Sequence, residues 1–448
     1  MPELTVSNLH MEALGQEMFG LIAELYPICR SITGNGLRET LRRLQRVVPL
    51  TMHEVPTGTQ VFDWTIPNEW NIRDAYVKDP TGTRVIDFQQ CNLHIVNYSV
   101  PVRGQMSLED LKPHLFTLPE HPEWIPYRTS YYKESWGFCL SHRAYLALAP
   151  VEYEVCIDAT LAPGHLTYGE YYLEGETADE ILVSCHACHP SLCNDNLSGV
   201  ALVAFLGREL AVLPHRYSYR FLFIPGAIGS ITWLCRNEQR ISRIKHGLIA
   251  ACVGDPGNLT YKRSRQGNAE IDRAMAHVLQ YSGFPFTLVD FSPYGYDERQ
   301  FCSPGFDLPV GVLSRTPHGQ YAEYHTSADN LDLIRPASLA ESLAQVVAAL
   351  TLLEQNRTFI NQNPKCEPQL GRRGLYRAMG GHINPAQAEL ALLWVLNQSD
   401  GSRTLLDIAE RSGLPFGAIQ EAATLLLDHG LLKEVDLSPA SLPLQTIS

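Results

Sequence analysis

The sequence has no run approaching 18 consecutive apolar residues, so no segment reads as a membrane span. It has no excess of basic charge: 35 Lys and Arg stand against 48 Asp and Glu, a net charge of −13. Nucleic-acid binding needs a basic footprint, and the chain as a whole does not carry one, though a local basic patch is compatible with this balance. It has no cysteine framework either. The 11 cysteines are odd in number and scattered from Cys29 to Cys366, which fits a reducing, cytoplasmic compartment. The first residues, MPELTVSNLHMEALGQEMF, lack the basic start and apolar stretch of a signal peptide. No internal repeat and no low-complexity stretch is visible. What is there is ordinary: 448 residues, 45% hydrophobic and 19% charged, enough for about two to three domains.

Met11, Leu14, Met18, Leu21, Ile22 and Leu25 share one helical face within residues 10–31. A second helix is expected from Leu37 to about Val47, with Arg38, Arg42, Arg43 and Arg46 on a solvated face. Residues 61–165 differ. Short strand-like runs, CNLHIVNYSV (91–100) and YEVCIDATL (153–161), lie between Pro and Gly, and four of the six Trp fall here: Trp64, Trp70, Trp124 and Trp136. A β-rich module whose aromatics form mainly its own small core is the simpler reading; a wall of a substrate cleft is the sharper one. From about 166 to 355 short apolar runs (181–186, 219–225, 248–255, 308–313) alternate with helical stretches (198–210, 269–280, 336–355). That alternation implies an α/β fold with a buried, mainly parallel sheet. Residues 356–374 read as a polar linker. Helices over 386–397, 404–413 and 416–430 and a strand over 431–435 then follow a winged-helix pattern.

In an open α/β sheet, functional groups gather beyond the carboxyl ends of the strands. Here those ends carry His186, followed by Cys188 and His189, then Gly226, then Asp255, and His325 follows the fourth strand. Asp195 adds a carboxylate between the first of these strands and its helix, where Asp195 or Asn196 could also serve simply as a helix N-cap. His and Asp are the nitrogen and oxygen donors of catalytic zinc sites. A closed zinc knot from Cys185, Cys188 and Cys193 is disfavoured, because Cys185 and His186 are neighbours on a strand and point to opposite faces.

VFDWTIPNEWNIRDAY (61–76), NLHIVNYSVPV (92–102), SCHACHPSLCNDNLSG (184–199), GDPGNLTYKRSRQGN (254–268), YDERQFCSPG (296–305) and EYHTSADNL (323–331) together resemble the zinc-dependent aminopeptidase clan. Within it they resemble a bacterial family that joins an aminopeptidase-like domain, a β-rich insertion and a C-terminal winged helix. The resemblance implies a zinc-peptidase-like α/β core over 1–60 and 166–358, the insertion over 61–165, and the winged helix over 372–448. It also implies a metal site of His186, Asp195, Asp255 and His325, with Asp195 as the bridging aspartate.

Three departures from the clan bear on activity. Cys188 stands where the clan has an aspartate that orients the first histidine, and a thiol is a poorer acceptor. Gly226-Ala227, in PGAIGS (225–230), stands where the clan has a Glu-Glu pair, the general base and a metal ligand. One zinc ion rather than two is therefore expected. Asp297, Glu298, Glu323 and His189 are candidate replacement bases, with a surface ion pair of Glu298 and Arg299 as the plainer alternative. In YKRSR (261–265), Arg263 and Arg265 could meet an anionic substrate group or simply ion-pair within an acidic protein. Tyr261, Tyr294 and Tyr324 could line a cleft.

The candidate recognition helix, residues 415–430, has Glu421 and Asp428 but no Lys or Arg, and residues 386–436 hold three basic against eight acidic residues. A DNA-reading helix needs phosphate and base-edge donors, so this domain is expected to contact protein or self-associate. The leading functional reading is a zinc hydrolase of a peptide or amide bond in a small molecule, without nucleic acid or membrane partners. The alternative is a metal-binding protein with weak or no catalysis that holds a small ligand or a protein. A metal-sensing transcription factor rests on the winged helix alone. Members of the resembled family associate with polysaccharide biosynthesis, which points to an amide-bearing sugar or precursor.

Overall fold

A computed structural model describes residues 8–375 and 385–435. Helix α1 (Asn8–Leu25) buries Leu14, Met18, Leu21, Ile22 and Leu25, the stripe that the spacing predicts. Helix α2 (Asn35–Leu44) departs from expectation at Arg38. Its guanidinium is not solvated but forked onto Glu69, with nitrogen–oxygen distances of 2.8 and 2.6 Å.

Eight strands build the central sheet: β1 (Thr51–Pro56), β2 (His165–Leu173), β3 (Glu180–His186), β4 (Ser218–Ile224), β5 (Ile244–Ala250), β6 (Leu259–Lys262), β7 (Phe286–Val289) and β8 (Val310–Ser314). Their order is β1-β2-β4-β3-β5-β8-β6-β7. The centre, β4-β3-β5-β8, is parallel, while β1, β2 and the β8–β6 pairing are antiparallel. The sheet is thus mixed around a parallel core. Every residue of β3 and β4 is buried, which is why these strands read as mainly apolar runs. Arg220 of β4 is buried but paired: it forks onto Glu180 at 2.6 and 2.9 Å and also meets Glu170. Helices α3 (Gly199–Leu210) and α4 (Ile228–Asn237) follow β3 and β4, and α5 (Glu270–Tyr281) and α6 (Pro336–Gln355) come later. Among the described residues α6 alone is long and apolar enough to cross a membrane, and 67% of that stretch is buried inside the protein, as in a core helix.

Between β1 and β2, strands Glu69–Lys78, Arg84–Asp87, Val102–Ser107 and Glu152–Ala162 form a separate antiparallel four-stranded sheet. Trp70, in the first of these strands, is buried and donates its indole N–H to the Ser99 carbonyl at 2.8 Å. The strand expected over 91–100 does not form. A 3₁₀ turn (Asn92–His94) stands there, and Tyr98 takes a left-handed φ of 76° that no strand tolerates. Asn97 instead ties this segment to the core, accepting from the Ser31 hydroxyl at 2.5 Å and donating to the Arg30 carbonyl at 2.8 Å.

The chain divides into two compact units. The first holds residues up to 272 and 284–347; the second takes Arg273–Gly283 and the residues from Ala348 onward. The second unit contains β9 (Thr358–Asn361), α7 (Pro385–Gln398), β10 (Asp400–Thr404), α8 (Leu405–Ser412), α9 (Phe416–Asp428) and β11 (Leu432–Glu434). Its sheet runs β10-β9-β11, so the supposed linker over 356–374 supplies the central strand. That strand is only four residues long and too short to show a period. Thr404 and Asp407 form a capping box on α8. The second unit also takes in most of α5: Arg273 grips Asp407 and Glu410, the His277 ring accepts from the Phe416 amide at 3.0 Å, and the Tyr281 hydroxyl donates to the Gly413 carbonyl at 2.8 Å. Of the expected winged-helix span 372–448, residues 376–384 and 436–448, with Asp436, lie outside the described residues, as do residues 1–7.

Candidate metal centre

Strand β3 ends on His186 at the carboxyl edge of the parallel core. Beyond it the chain loops through His189 into a wide π-type turn, Cys193–Ser198, where Asp195 and Asn196 leave helical geometry. Two asparagine side chains knit this turn to the chain leaving β5. Asn196 donates to the Ala250 carbonyl at 3.0 Å and accepts from the Cys252 amide at 3.1 Å. Asn194 accepts from the Gly254 amide at 3.0 Å. A Cβ at Gly199 would stand 2.3 Å from the Ala250 carbonyl oxygen, so only glycine lets α3 start this close to β5.

The result is a buried carboxylate ringed by imidazoles. Asp195 Oδ1 lies 2.8 Å from His186 Nε2, and Oδ2 lies 2.9 Å from His325 Nε2 and 3.3 Å from His189 Nδ1. Asp195 is 2% exposed. Burial alone would raise its pKa, but the surrounding histidines hold it well below the usual carboxylate range. Burial also opposes charge on His186, yet the Asp195 carboxylate outweighs it and the pKa is raised. His189 shows the opposite outcome: burial pushes it down to about 4. Its Nδ1 is buried and has no hydrogen-bond partner.

Further groups hold this arrangement. Asp329 accepts from the Asn194 amide at 2.6 Å and the Asp195 amide at 3.0 Å. Tyr324 stacks on His325 with ring centroids 4.0 Å apart. From the β-rich insertion, the Tyr127 amide donates to the His325 carbonyl at 2.7 Å. Tyr127, Thr129 and Tyr131 of that insertion also line the cavity of about 540 Å³ onto which His186, His189, Asp195 and His325 open. The insertion is therefore a cleft wall, and its buried apolar residues, Trp70, Val77, Phe138 and Val155 among them, form one cluster with Leu182, Leu222 and Val310 of the central sheet rather than a core of their own. Its tryptophans are not among the cavity residues.

A metal fits these donors. One ligand atom each from His186, His189 and Asp195 lies within 4.8 Å of the others, and the unpartnered nitrogen of His189 faces the carboxylate.

The family described as Domain of unknown function (DUF4910) matches residues 19–356. This chain belongs to that family. A winged helix-turn-helix family matches residues 357–434. A Clostridium acetobutylicum protein, provisionally named a polysaccharide biosynthesis protein with an aminopeptidase-like domain, is 53% identical over 421 residues, 94% of this chain and 97% of that protein. A crystal structure from the same organism, provisionally named a peptidase, has a TM-score of 0.91 at 51% identity and covers 95% of this chain and 98% of that one. The zinc aminopeptidase BSAP from Bacillus subtilis shares the fold, with a TM-score of 0.54 at 13% identity over 75% of this chain and 94% of that one. The first unit of this DUF4910 chain is thus an aminopeptidase-like α/β fold, and a winged helix follows it.

Of the four expected ligands, His186, Asp195 and His325 converge and Asp255 does not. Both Asp255 oxygens are taken: the Gly257 amide and Thr316 hydroxyl reach Oδ1 at 2.7 Å, and the Thr316 amide and Asn194 side chain reach Oδ2 at 3.1 Å. Cys188 does not orient His186 through its sulfur. Its buried thiol accepts from the Gly226 amide at 3.3 Å, lies 3.9 Å from the Tyr296 hydroxyl, and is pushed up to about 12 by burial. Glu298 is no surface ion pair with Arg299: it lines the cavity, meets Lys262 at 2.8 Å and accepts from the Tyr296 amide at 3.0 Å.

Arg263 and Arg265 turn away from the cavity and pair with Asp290 at 3.1 Å and Asp307 at 2.7 Å, so they do not form the anion subsite considered from sequence. Lys262, from the same YKRSR run, is the one that faces the cavity. Tyr294 and Tyr324 line the cavity, whereas Tyr261 is buried and donates to Asp272 at 2.9 Å. Glu323 is not among the cavity residues. Asp297 accepts from the Ala227 amide and the Ser230 hydroxyl, both at 2.8 Å, and its other oxygen is buried without a partner. At Gly226 a Cβ would lie 1.8 Å from Cε1 of Tyr296, so the tyrosine ring fills the place of a side chain there. Sequence reasoning weighed His189 only as a base and did not single out Asp329. The signals were present: a second histidine three residues past the strand end, and an aspartate four residues past His325.

Proposed function

We propose that the protein is a metal-dependent hydrolase of a peptide or amide bond, with one zinc ion held by His186, His189 and Asp195 and with His325 beside it. The observation that carries this reading is the buried Asp195 carboxylate with three imidazoles at 2.8 to 3.3 Å, one of them with an unpartnered nitrogen. Held there, zinc would supply a Lewis acid that makes water acidic enough to attack near neutral pH. The chain's own groups do the rest. Asp329 fixes the turn that carries Asp195, and Tyr324 and the Tyr127 amide fix His325. Asp297, raised in pKa by burial, and Glu298, neutralised by Lys262, are the carboxylates at the cavity that can take or return a proton. Gly226 and Ala227 offer no side-chain donor, which favours one ion over two.

The substrate is a peptide or an amide-bearing small molecule. The name of the Clostridium relative adds an amide-bearing sugar or precursor as a class to test. The free cysteines support a cytoplasmic setting. The winged helix is proposed as a protein-contact module; duplex-DNA binding with a steep salt dependence would overturn that.

A second reading, metal binding with little or no catalysis, is favoured by one observation: the Tyr296 ring occupies the space where a carboxylate at residue 226 would reach the site. Metal analysis followed by assay on aminoacyl and acyl-sugar amides separates the two. Turnover that needs stoichiometric zinc supports the hydrolase. Stoichiometric zinc without turnover supports the second reading, and failure to bind any metal removes both.

A further inference from the structure

Asp195 Oδ1 has a second neighbour besides His186. The Sγ of Cys252 lies 4.0 Å from it, on the wall of the same cavity. Cys252 stands just past the end of β5, where the strand-end logic looked for a ligand and found Asp255. The thiol is buried, and its other polar neighbour is the Tyr321 hydroxyl at 3.7 Å. On the other side of Asp195, the buried Nδ1 of His189 lacks a hydrogen-bond partner. Imidazole and thiol groups thus surround one carboxylate.

We propose that Cys252 is a metal ligand, so that the centre is an imidazole–carboxylate–thiolate site built from His186, His189, Asp195 and Cys252. This rests on the metal reading of the proposed function and adds a sulfur to it. Tetrahedral coordination with bonds of about 2.0 Å to oxygen and 2.3 Å to sulfur places those two atoms about 3.5 Å apart, and oxygen and nitrogen ligands about 3.3 Å apart. The present separations are 4.0 Å from oxygen to sulfur and 2.8 Å from oxygen to nitrogen. A cation at Oδ1 would need the sulfur about half an ångström nearer that oxygen and His186 about half an ångström farther from it, and would have to draw Cys252 into the group of His186, His189 and Asp195, whose ligand atoms already lie within 4.8 Å of one another. As the sulfur–metal bond forms the S–H bond breaks and the proton leaves to solvent, with no change of oxidation state. A thiolate biases the site towards zinc, cobalt or cadmium and against magnesium or manganese.

The test uses the full chain loaded with cobalt(II) in place of zinc. Wild type is expected to show a near-ultraviolet sulfur-to-cobalt charge-transfer band at one equivalent. Cys252→Ser is expected to lose it and to bind zinc about tenfold more weakly or worse. Cys188→Ser, which removes the rival thiol, keeps the band. If Cys252→Ser does not fold, X-ray absorption on zinc-loaded wild type decides the matter by the presence or absence of one sulfur in the coordination sphere. Cobalt binding without the band, or a band that survives in Cys252→Ser or vanishes in Cys188→Ser, overturns the thiolate and leaves the metal reading standing. Failure of the wild type to bind any metal overturns both.

Discussion

Gly226 is the position where reasoning from sequence and from structure lead to opposite experiments. From sequence, Gly226→Glu is the natural way to restore a missing base. In the structure a Cβ at this residue would lie 1.8, 2.2 and 2.4 Å from Cε1, Cζ and the hydroxyl of Tyr296. These separations are far inside van der Waals contact, and the ring is not free to retreat: it stands edge-on to His186 at 5.0 Å and stacks near His189 at 6.0 Å. Gly226→Ala alone should therefore cost about 3 kcal/mol, the upper part of the range for overpacking. In a unit of this size that lowers the Tm of its transition by about 4 °C. Tyr296→Ala should cost a similar amount through the cavity it leaves. The double variant should then cost little more than Tyr296→Ala, because the clash has gone. Thermal unfolding of the four proteins closes the cycle, with an expected coupling of about 3 kcal/mol. Additivity within about 0.5 kcal/mol, or a neutral Gly226→Ala, would refute the reasoning. The same logic says that Gly226→Glu gains hydrolysis only together with removal of the Tyr296 ring.

Other predictions concern charge. His246 lies at the amino-terminal end of β5, away from the metal centre, and burial pushes its pKa down to about 4. The unfolded chain then binds the proton first, so its contribution is intact above about pH 6.5 and is lost as pH falls towards 4. At pH 4.5 this amounts to about 2–3 kcal/mol; urea titrations at pH 7 and 4.5 should show that the loss shrinks in His246→Phe. Lys262→Met leaves Glu298 buried and unpaired and should cost about 3 kcal/mol or more, while adding Glu298→Gln should recover most of it in denaturant melts. His189→Ala should lower bound zinc, read by elemental analysis after dialysis, whereas Asp255→Asn should leave the metal content unchanged; equal losses would restore Asp255 to the ligand set.

The α/β core was legible because its central strands are buried on both faces and so read as mainly apolar runs, with Arg220 and Glu180 neutralising each other inside. The helices were legible because their apolar residues keep the helical period. β9 was hidden for the converse reason: four residues with polar neighbours carry no period, and it exists because β10 and β11 pair with it. Of the three proposed ligands that converge, only His186 sits at a strand end; Asp195 and His325 come from loops nine and eleven residues past theirs, and the Cys193–Ser198 turn and the Tyr127 and Tyr324 contacts bring them in. Asp255 failed for a reason that no spacing reveals: two amides, a hydroxyl and an asparagine had already saturated its oxygens. The basic run 262–265 was legible as charge but not as direction, which is set by where Asp290, Asp307 and Glu298 happen to stand.

The winged-helix unit is not a simple tail. Its α8 and α9 receive Arg273, His277 and Tyr281 from a helix that begins more than a hundred residues upstream in the first unit. A chain ended at residue 356 would therefore keep this helix and lose its partners, leaving a basic and aromatic stripe without the groups that pair with it. The winged-helix residues expressed alone would lack a piece of their own packing surface. Separation of the two units, in the laboratory or by gene rearrangement, has to carry Arg273–Gly283 along or replace it. That makes the unit hard to lose by a single truncation and hard to acquire by a single fusion.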